Sequence, residues 1–195
     1  MTRNKLIEES ELIPAAVLIP LIIGSSTASE IVRFKGRAGP IGLPLSTKII
    51  LTVRTHTVEH HKGQISFPGG VFEPQDSSLE ETALRETHEE IGLAREFVEI
   101  VGELPDIPTV ATRFRVRPYV GLVREYPEFQ PNAHEIGEIL LVPLKHLLDP
   151  ANAALETHER NGVKYQINAY HFNSHRIWGA TGLMLQMFLE KYISR

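Results

Sequence analysis

The stretch Gly69-Gly70-Val71-Phe72-Glu73-Pro74-Gln75-Asp76, continued from Ser77 to Leu93 as SSLEETALRETHEEIGL, is the most informative part of the chain. Ser77 with Glu80 three residues later fits a capping box, which predicts a helix from Ser77 to Ile91. Gly92 supplies the left-handed cap that closes it. At 100° per residue, with Glu86 at zero, Glu90 falls at about 40° and Glu89 at about 300°, so three carboxylates share one face. Leu84, Thr87, His88 and Ile91 fall between about 100° and 200°, the side expected to meet a core. Like charges at this spacing repel and weaken a bare helix. A divalent cation would remove the conflict, because carboxylate oxygens are hard ligands and Mg²⁺ or Mn²⁺ takes a few of them while keeping waters for a phosphate. The plainer alternative is a solvated acidic face. Against it stand the Gly-Gly turn ahead of the helix, where bare backbone can approach a ligand, and Arg85, placed to pair with a carboxylate.

The rest of the sequence bounds what surrounds that helix. The chain has 195 residues, 42% of them hydrophobic and 23% charged, which suits one globular domain and excludes disorder, collagen and coiled coil as whole-chain answers. A net charge of -4 argues against a general nucleic-acid coat. No apolar run reaches the roughly 18 to 20 residues a bilayer span needs. With no cysteine there is no disulfide framework, thiolate zinc site or cysteine nucleophile. The apolar run Leu12 to Ile23 could pass for part of a signal peptide, but Glu8, Glu9 and Glu11 put negative charge where such a segment wants positive charge. Pro14 and Pro20 bracket Ala15 to Ile19, which reads as a short buried strand, and the expected location is cytoplasmic.

Along the chain, Thr47 to Arg54, Val98 to Leu104, Arg115 to Val123 and Ile136 to Val142 read as strands. Asn161-Gly162 predicts a hairpin joining Leu155 to Arg160 with Val163 to Phe172, and Asn173-Ser174 a further turn into His175 to Trp178. Ala180 to Tyr192 reads as a second amphipathic helix with its turns marked by Leu183, Met187 and Glu190. Ser25 to Leu45 is rich in Gly, Pro and Ser and is expected to hold a long loop. Many strands with two main helices give an α+β, or mixed α/β, class.

Arg85-Glu86-Thr87-His88-Glu89-Glu90-Ile91-Gly92-Leu93 resembles the second half of the Nudix box, with Gly70 as its leading glycine. Thr87 stands where an aliphatic or Ala is usual. The spacing from Gly70 to Arg85 is one residue longer than standard, with Asp76 in place of the usual box glutamate. That longer spacing, with Leu51-Thr52-Val53-Arg54, Gly63 and Phe67-Pro68-Gly69-Gly70, is similar to the coenzyme A pyrophosphatases of the Nudix superfamily. Ile177-Trp178-Gly179-Ala180-Thr181 adds to the likeness, which covers roughly residues 13 to 190. Glu59 departs from it, standing where that signature has Arg.

The resemblance implies one domain over 1-195, an α/β/α sandwich around a mixed β-sheet, and hydrolysis of a diphosphate with Mg²⁺ or Mn²⁺. Carried over, Glu86 and Glu90 would be the principal metal ligands, and Glu89 a further ligand or a contributor to water activation. The Gly69 carbonyl would complete the shell, and Arg85 would orient a glutamate. Coenzyme A would give 4′-phosphopantetheine and adenosine 3′,5′-bisphosphate. Substrate phosphates would be received by Arg54, His61, Lys62, and Arg113 and Arg115, which with Arg117 alternate along one face of an extended segment. A solvated strand face is the equal alternative for those last three. Glu135 and Glu138 are weighed as a catalytic base from outside the box, with a surface role favoured. Trp178 is expected in the core, and most histidines, including His171 and His175, on the surface or in structural roles. The partner is a small nucleoside diphosphate, without nucleic acid or membrane, and a homodimer is left open. Hydrolysis of another nucleoside diphosphate derivative is the second reading, and a non-hydrolysing ligand sensor the third.

Overall fold

A computed structural model describes residues 12–24, 30–55, 63–109, 113–124, 127–160 and 162–194. His61 and Lys62, as well as Glu59, lie outside them. The strands in chain order are β1 (Ile13–Ile22), β2 (Ile31–Gly36), β3 (Gly39–Pro44), β4 (Lys48–Arg54), β5 (Ile65–Ser66), β6 (Gly69–Val71), β7 (Val98–Glu103), β8 (Ile107–Thr109), β9 (Phe114–Val123) and β10 (Ile136–Pro143). They continue as β11 (Ala153–Arg160), β12 (Val163–Phe172), β13 (His175–Ile177) and β14 (Ile193–Ser194), and the helices are α1 (Leu79–Ile91), α2 (Leu144–Leu147) and α3 (Gly179–Tyr192).

The central sheet runs β10-β4-β1-β9-β7, with β5 beside β4, β6 beside β1 and β8 beside β9. Strands β1 and β9 pair in parallel and every other described pair in this sheet is antiparallel, so the sheet is mixed, as expected. Alternation along β1 distributes the two helices. Ala16 and Leu18 pack with Ala83 and Leu84 of α1, and Ile22 with Ile91 just beyond. Ala15, Ile19 and Leu21 point the other way, into the larger cluster that holds Met184, Leu185 and Phe188 of α3. The layers are therefore helix, sheet, helix, and the acidic helix lies flat on one face of β1.

Several expectations need correcting. Strand β1 is longer than Ala15 to Ile19 and runs through both prolines. Backbone groups at even positions point toward β6 and β4, as the contacts of Leu18 N with Pro68 O and of Phe72 N with Pro14 O show. Pairing with β6 stops at Val17 and pairing with β4 begins at Leu21, so Pro20 falls where no donor is needed. The expected loop from Ser25 to Leu45 contains the hairpin β2–β3, completed by β14. The helix cap is Ser78, not Ser77: its hydroxyl accepts from Glu81 N at 3.2 Å. Gly92 closes the helix as expected, at φ 72°. His88 is exposed, outside the core stripe. On α3 the buried side is Met184, Leu185, Phe188 and Tyr192, while Leu183 is exposed. Trp178 is 45% exposed, not in the core, with the Arg176 guanidinium 4.7 Å from its ring centroid. Among the described residues no helix is long and apolar enough to cross a membrane.

Candidate active site

The glycine turn and α1 meet at Glu86. A Cβ built on Gly70 would lie 2.5 Å from Glu86 Oε1 and 2.6 Å from Oε2, so only glycine leaves the carboxylate its place. Gly69 has φ 154°, and a Cβ there would lie 2.5 Å from Val17 Cα. Its N–H donates to Glu90 Oε2 at 3.3 Å, which ties the turn to the acidic face.

Arg85 anchors this end. Its Nε donates to Asp76 Oδ1 at 2.8 Å and one terminal nitrogen to Asp76 Oδ2 at 3.1 Å and Val71 O at 3.2 Å. The other terminal nitrogen is 3.0 Å from Glu86 Oε1 and 3.3 Å from both oxygens of Glu89. Asp76, its side chain 1% exposed, also accepts from Thr82 Oγ1 at 2.8 Å and Glu73 N at 3.0 Å. The Arg85 hydrogen bonds hold the Asp76 carboxyl well below the usual carboxylate range, overcoming the opposing effect of burial. The shorter Asp side chain thus does what a box carboxylate should, with Arg85 one residue further along the chain.

Glu90 is buried at 4% exposure. Burial pushes its carboxyl up to about 8 against the pull of Arg54 and the Gly69 amide, with Glu86 and Glu135 adding repulsion. Burial also raises Glu86, which Arg85 counteracts and Glu89 and Glu135 reinforce. Arg54, at the end of β4, places one terminal nitrogen 3.6 Å from Glu90 Oε1 and the other 3.7 Å from Glu135 Oε2. Glu135, for which a surface role is favoured by the sequence, keeps an exposed side chain and stands beside the cluster as a fourth carboxylate. Its loop is tied to α1 by Gln130 N to Ile91 O and Asn132 N to Glu90 O, both 2.9 Å, and to β4 by Thr55 N to Glu135 O at 2.8 Å. Glu138 sits apart, 3.3 Å from His175 Nε2.

The arginine face of β9 does not join this cluster. Arg117 pairs with Asp106 through contacts of 2.6 and 3.1 Å, and Arg115 lies 3.6 Å from the same carboxylate. Arg117 stands opposite Ala16 in the parallel ladder, and Ala16 is covered by α1. Arg113, at φ 58°, precedes the strand. No described contact links any of the three to Glu86, Glu89 or Glu90.

Divalent metal fits the donor set. Glu86, Glu89, Glu90 and Glu135 offer hard oxygens close to one another, and burial disfavours the charged forms of Glu86 and Glu90, a cost that a bound dication would offset. Among the described residues no three ligating side chains already form a cage; Arg85 and Arg54 take up the carboxylate charge instead.

A family model of the NUDIX domain matches residues 40–162. An uncharacterized Nudix hydrolase, NudL, of Yersinia enterocolitica is 34% identical over 143 residues, covering 73% of this chain and 73% of its own. The human mitochondrial coenzyme A diphosphatase NUDT8 is 34% identical over 146 residues, covering 73% of this chain and 61% of its own. Among solved structures, a C. elegans Ap4A hydrolase binary complex is similar at 17% identity, with 69% of this chain and 82% of that chain covered and a TM-score of 0.49.

Proposed function

The chain belongs to the Nudix family, and on that premise we propose that it is a cytoplasmic, metal-dependent hydrolase of the diphosphate in coenzyme A or its derivatives. The products are 4′-phosphopantetheine and adenosine 3′,5′-bisphosphate. The observation that carries the chemistry is the convergence of Glu86 and Glu90 on the Gly69-Gly70 turn, with Glu135 near enough to repel both and Arg85 pinning Glu86 and Glu89. The substrate class is supported by the upstream signature from Leu51 to Gly70 and by the likeness to a coenzyme A diphosphatase.

In this reading Glu86 and Glu90 are the principal holders of Mg²⁺ or Mn²⁺, with Glu89 alongside. Bound there, the metal neutralises charge on the phosphoryl oxygens and lowers the pKa of the attacking water. Water oxygen attacks one phosphorus, the bridging P–O bond breaks, and its electron pair leaves with the other phosphate. The water proton passes to a carboxylate oxygen, for which Glu89 and Glu135 are the exposed members of the cluster. Arg85 works at one remove: its donors go to Asp76, Glu86, Glu89 and the Val71 carbonyl, and none is left for substrate. Preference for coenzyme A over dephospho-coenzyme A needs a cationic contact to the 3′-phosphate, for which His61 and Lys62, together with the Arg113 and Arg115 face, are the residues to test.

The deciding assay offers coenzyme A, dephospho-coenzyme A and ADP-ribose with Mg²⁺ or Mn²⁺ and identifies the products. A charge-assisted phosphate contact is worth roughly 1.5 to 3 kcal/mol, so coenzyme A should be cleaved at least about tenfold better than dephospho-coenzyme A. Equal rates would mean that the 3′-phosphate is not read. Preference for ADP-ribose would move the assignment to another nucleoside diphosphate derivative, and no cleavage of any of them would favour a sensor.

A further inference from the structure

Two arginines face the acidic cluster, and they are held in different ways. Arg85 makes hydrogen bonds of 2.8 to 3.3 Å with Asp76, Val71 and Glu89, and a 3.0 Å contact with Glu86. Arg54 has ion pairs of 3.6 and 3.7 Å, well beyond the about 2.7 to 2.9 Å of a charge-assisted hydrogen bond. Its Nε is buried with no hydrogen-bond partner among the described residues. A guanidinium that could fork onto a planar or tetrahedral anion is instead suspended between two carboxylates at long range.

We propose that Arg54 is an exchangeable counter-ion: it lies between Glu90 and Glu135, and turns to a substrate phosphate oxygen when a divalent cation takes those carboxylates. This deepens, and rests on, the metal-dependent hydrolase reading. The surroundings are fixed, so only a side chain has to move. Arg54 N donates to Gln64 O at 3.0 Å and Arg54 O accepts from Gly63 N at 3.1 Å. The Glu135 loop is fastened to the strand residue after Arg54 and to the last turn of α1. Glu90, buried beneath, draws a dication more strongly than a monocation, because both charge and oxygen hardness favour the metal. Displaced from Glu90, Arg54 keeps its charge and its donors, and a phosphate held at the same cations is the acceptor that satisfies them. The consequence is an order of binding, cation first and anion second, with each favouring the other.

The test is calorimetric and uses the whole chain without turnover. Mn²⁺ alone, and adenosine 3′,5′-bisphosphate with and without Mn²⁺, are titrated into wild type, Arg54→Met and Arg54→Lys. Arg54→Met should bind Mn²⁺ about tenfold more tightly, because a competing cation is gone, and its Mn²⁺-loaded form should bind the bisphosphate at least about tenfold more weakly than loaded wild type. Arg54→Lys should lie between the two in both measurements, and it carries the test alone if Arg54→Met does not fold by circular dichroism. Weaker Mn²⁺ binding by Arg54→Met would overturn the exchange, because Arg54 would then be supporting the carboxylates. Equal bisphosphate affinity in the loaded proteins would overturn it too. No Mn²⁺ binding to wild type would instead overturn the metal-hydrolase reading itself, and the exchange with it.

Discussion

Replacing Asp76 by Asn tests whether the site is built on the Asp76–Arg85 pair. The side chain keeps its size, but one of the two oxygens that face Arg85 becomes a donor and the negative charge is lost. At least one charge-assisted hydrogen bond disappears, worth roughly 1.5 to 3 kcal/mol, and Arg85 keeps its charge on a side chain that is only 18% exposed. Breaking one side of a buried pair typically costs about 3 to 5 kcal/mol. Because Asn retains one acceptor for Thr82 or Glu73, the lower end applies, about 3 kcal/mol. For a chain of this size that is a melting midpoint lower by about 6 to 12 °C. The pH dependence fixes the cause. A carboxyl depressed in the folded state contributes stability above its unfolded value, near 3.9, and loses it as pH falls toward its lower folded value. The gap in urea midpoint between wild type and Asp76→Asn should therefore be wide at pH 7 and narrower at pH 3. Turnover should fall by about tenfold or more with little change in KM, since Glu86 and Glu89 lose their anchor and substrate does not touch Asp76. An unchanged midpoint and unchanged kcat would refute the reasoning.

Gly70→Ala should leave the melting midpoint within a few degrees, because the atom it meets is the end of a flexible side chain, yet cut kcat on the order of 100-fold by displacing the Glu86 carboxylate. Circular dichroism and steady-state rates would check both parts. Glu90, raised to about 8 by burial, should make metal-free stability fall between about pH 4.5 and 8 and level off above, and Glu90→Gln should abolish that slope in urea titrations. For the same reason Mn²⁺ binding near pH 7 should release protons in wild type and fewer in Glu90→Gln, which calorimetry in buffers of different ionisation enthalpy measures directly. Glu86→Gln should lower the rate on the order of 10³-fold, and full turnover by that variant with EDTA present would remove the metal from the mechanism.

What the sequence made legible follows a physical divide. Local periodicity placed Glu86, Glu89 and Glu90 on one helix face, ended that helix at Gly92 and put Arg85 beside its carboxylates, because those relations are set by 3.6 residues per turn. The mixed α/β class came through for the same reason, since short β-branched and apolar runs such as those of β4, β9 and β10 are a local signal. Local signals failed where tertiary pairing decided the outcome. Pro20 is silent in β1 only because two partner strands leave a gap opposite it, and Trp178 is apolar yet lies on the surface under Arg176. The β2–β3 hairpin hid in a segment whose glycines and prolines read as loop, although Gly39 at φ 118° marks the turn.

The sharpest case is the pairing of Arg54 with Glu135. They are far apart in sequence, and neither belongs to the helix that announces the site. They meet because β10 runs antiparallel to β4, bringing Ile136 opposite Arg54, so the residue before Ile136 lands at the arginine. The ladder is irregular between Ile136 and Glu138, and Glu138 lies beside His175, 3.3 Å from its Nε2. Two glutamates three residues apart thus have different surroundings, one joining the cluster and the other bridging to His175 on β13. That is why the sequence favoured a surface role for Glu135 over that of a catalytic base. Its presence in the site depends on register, and a one-residue slip in β10 would exchange the faces of every side chain along it.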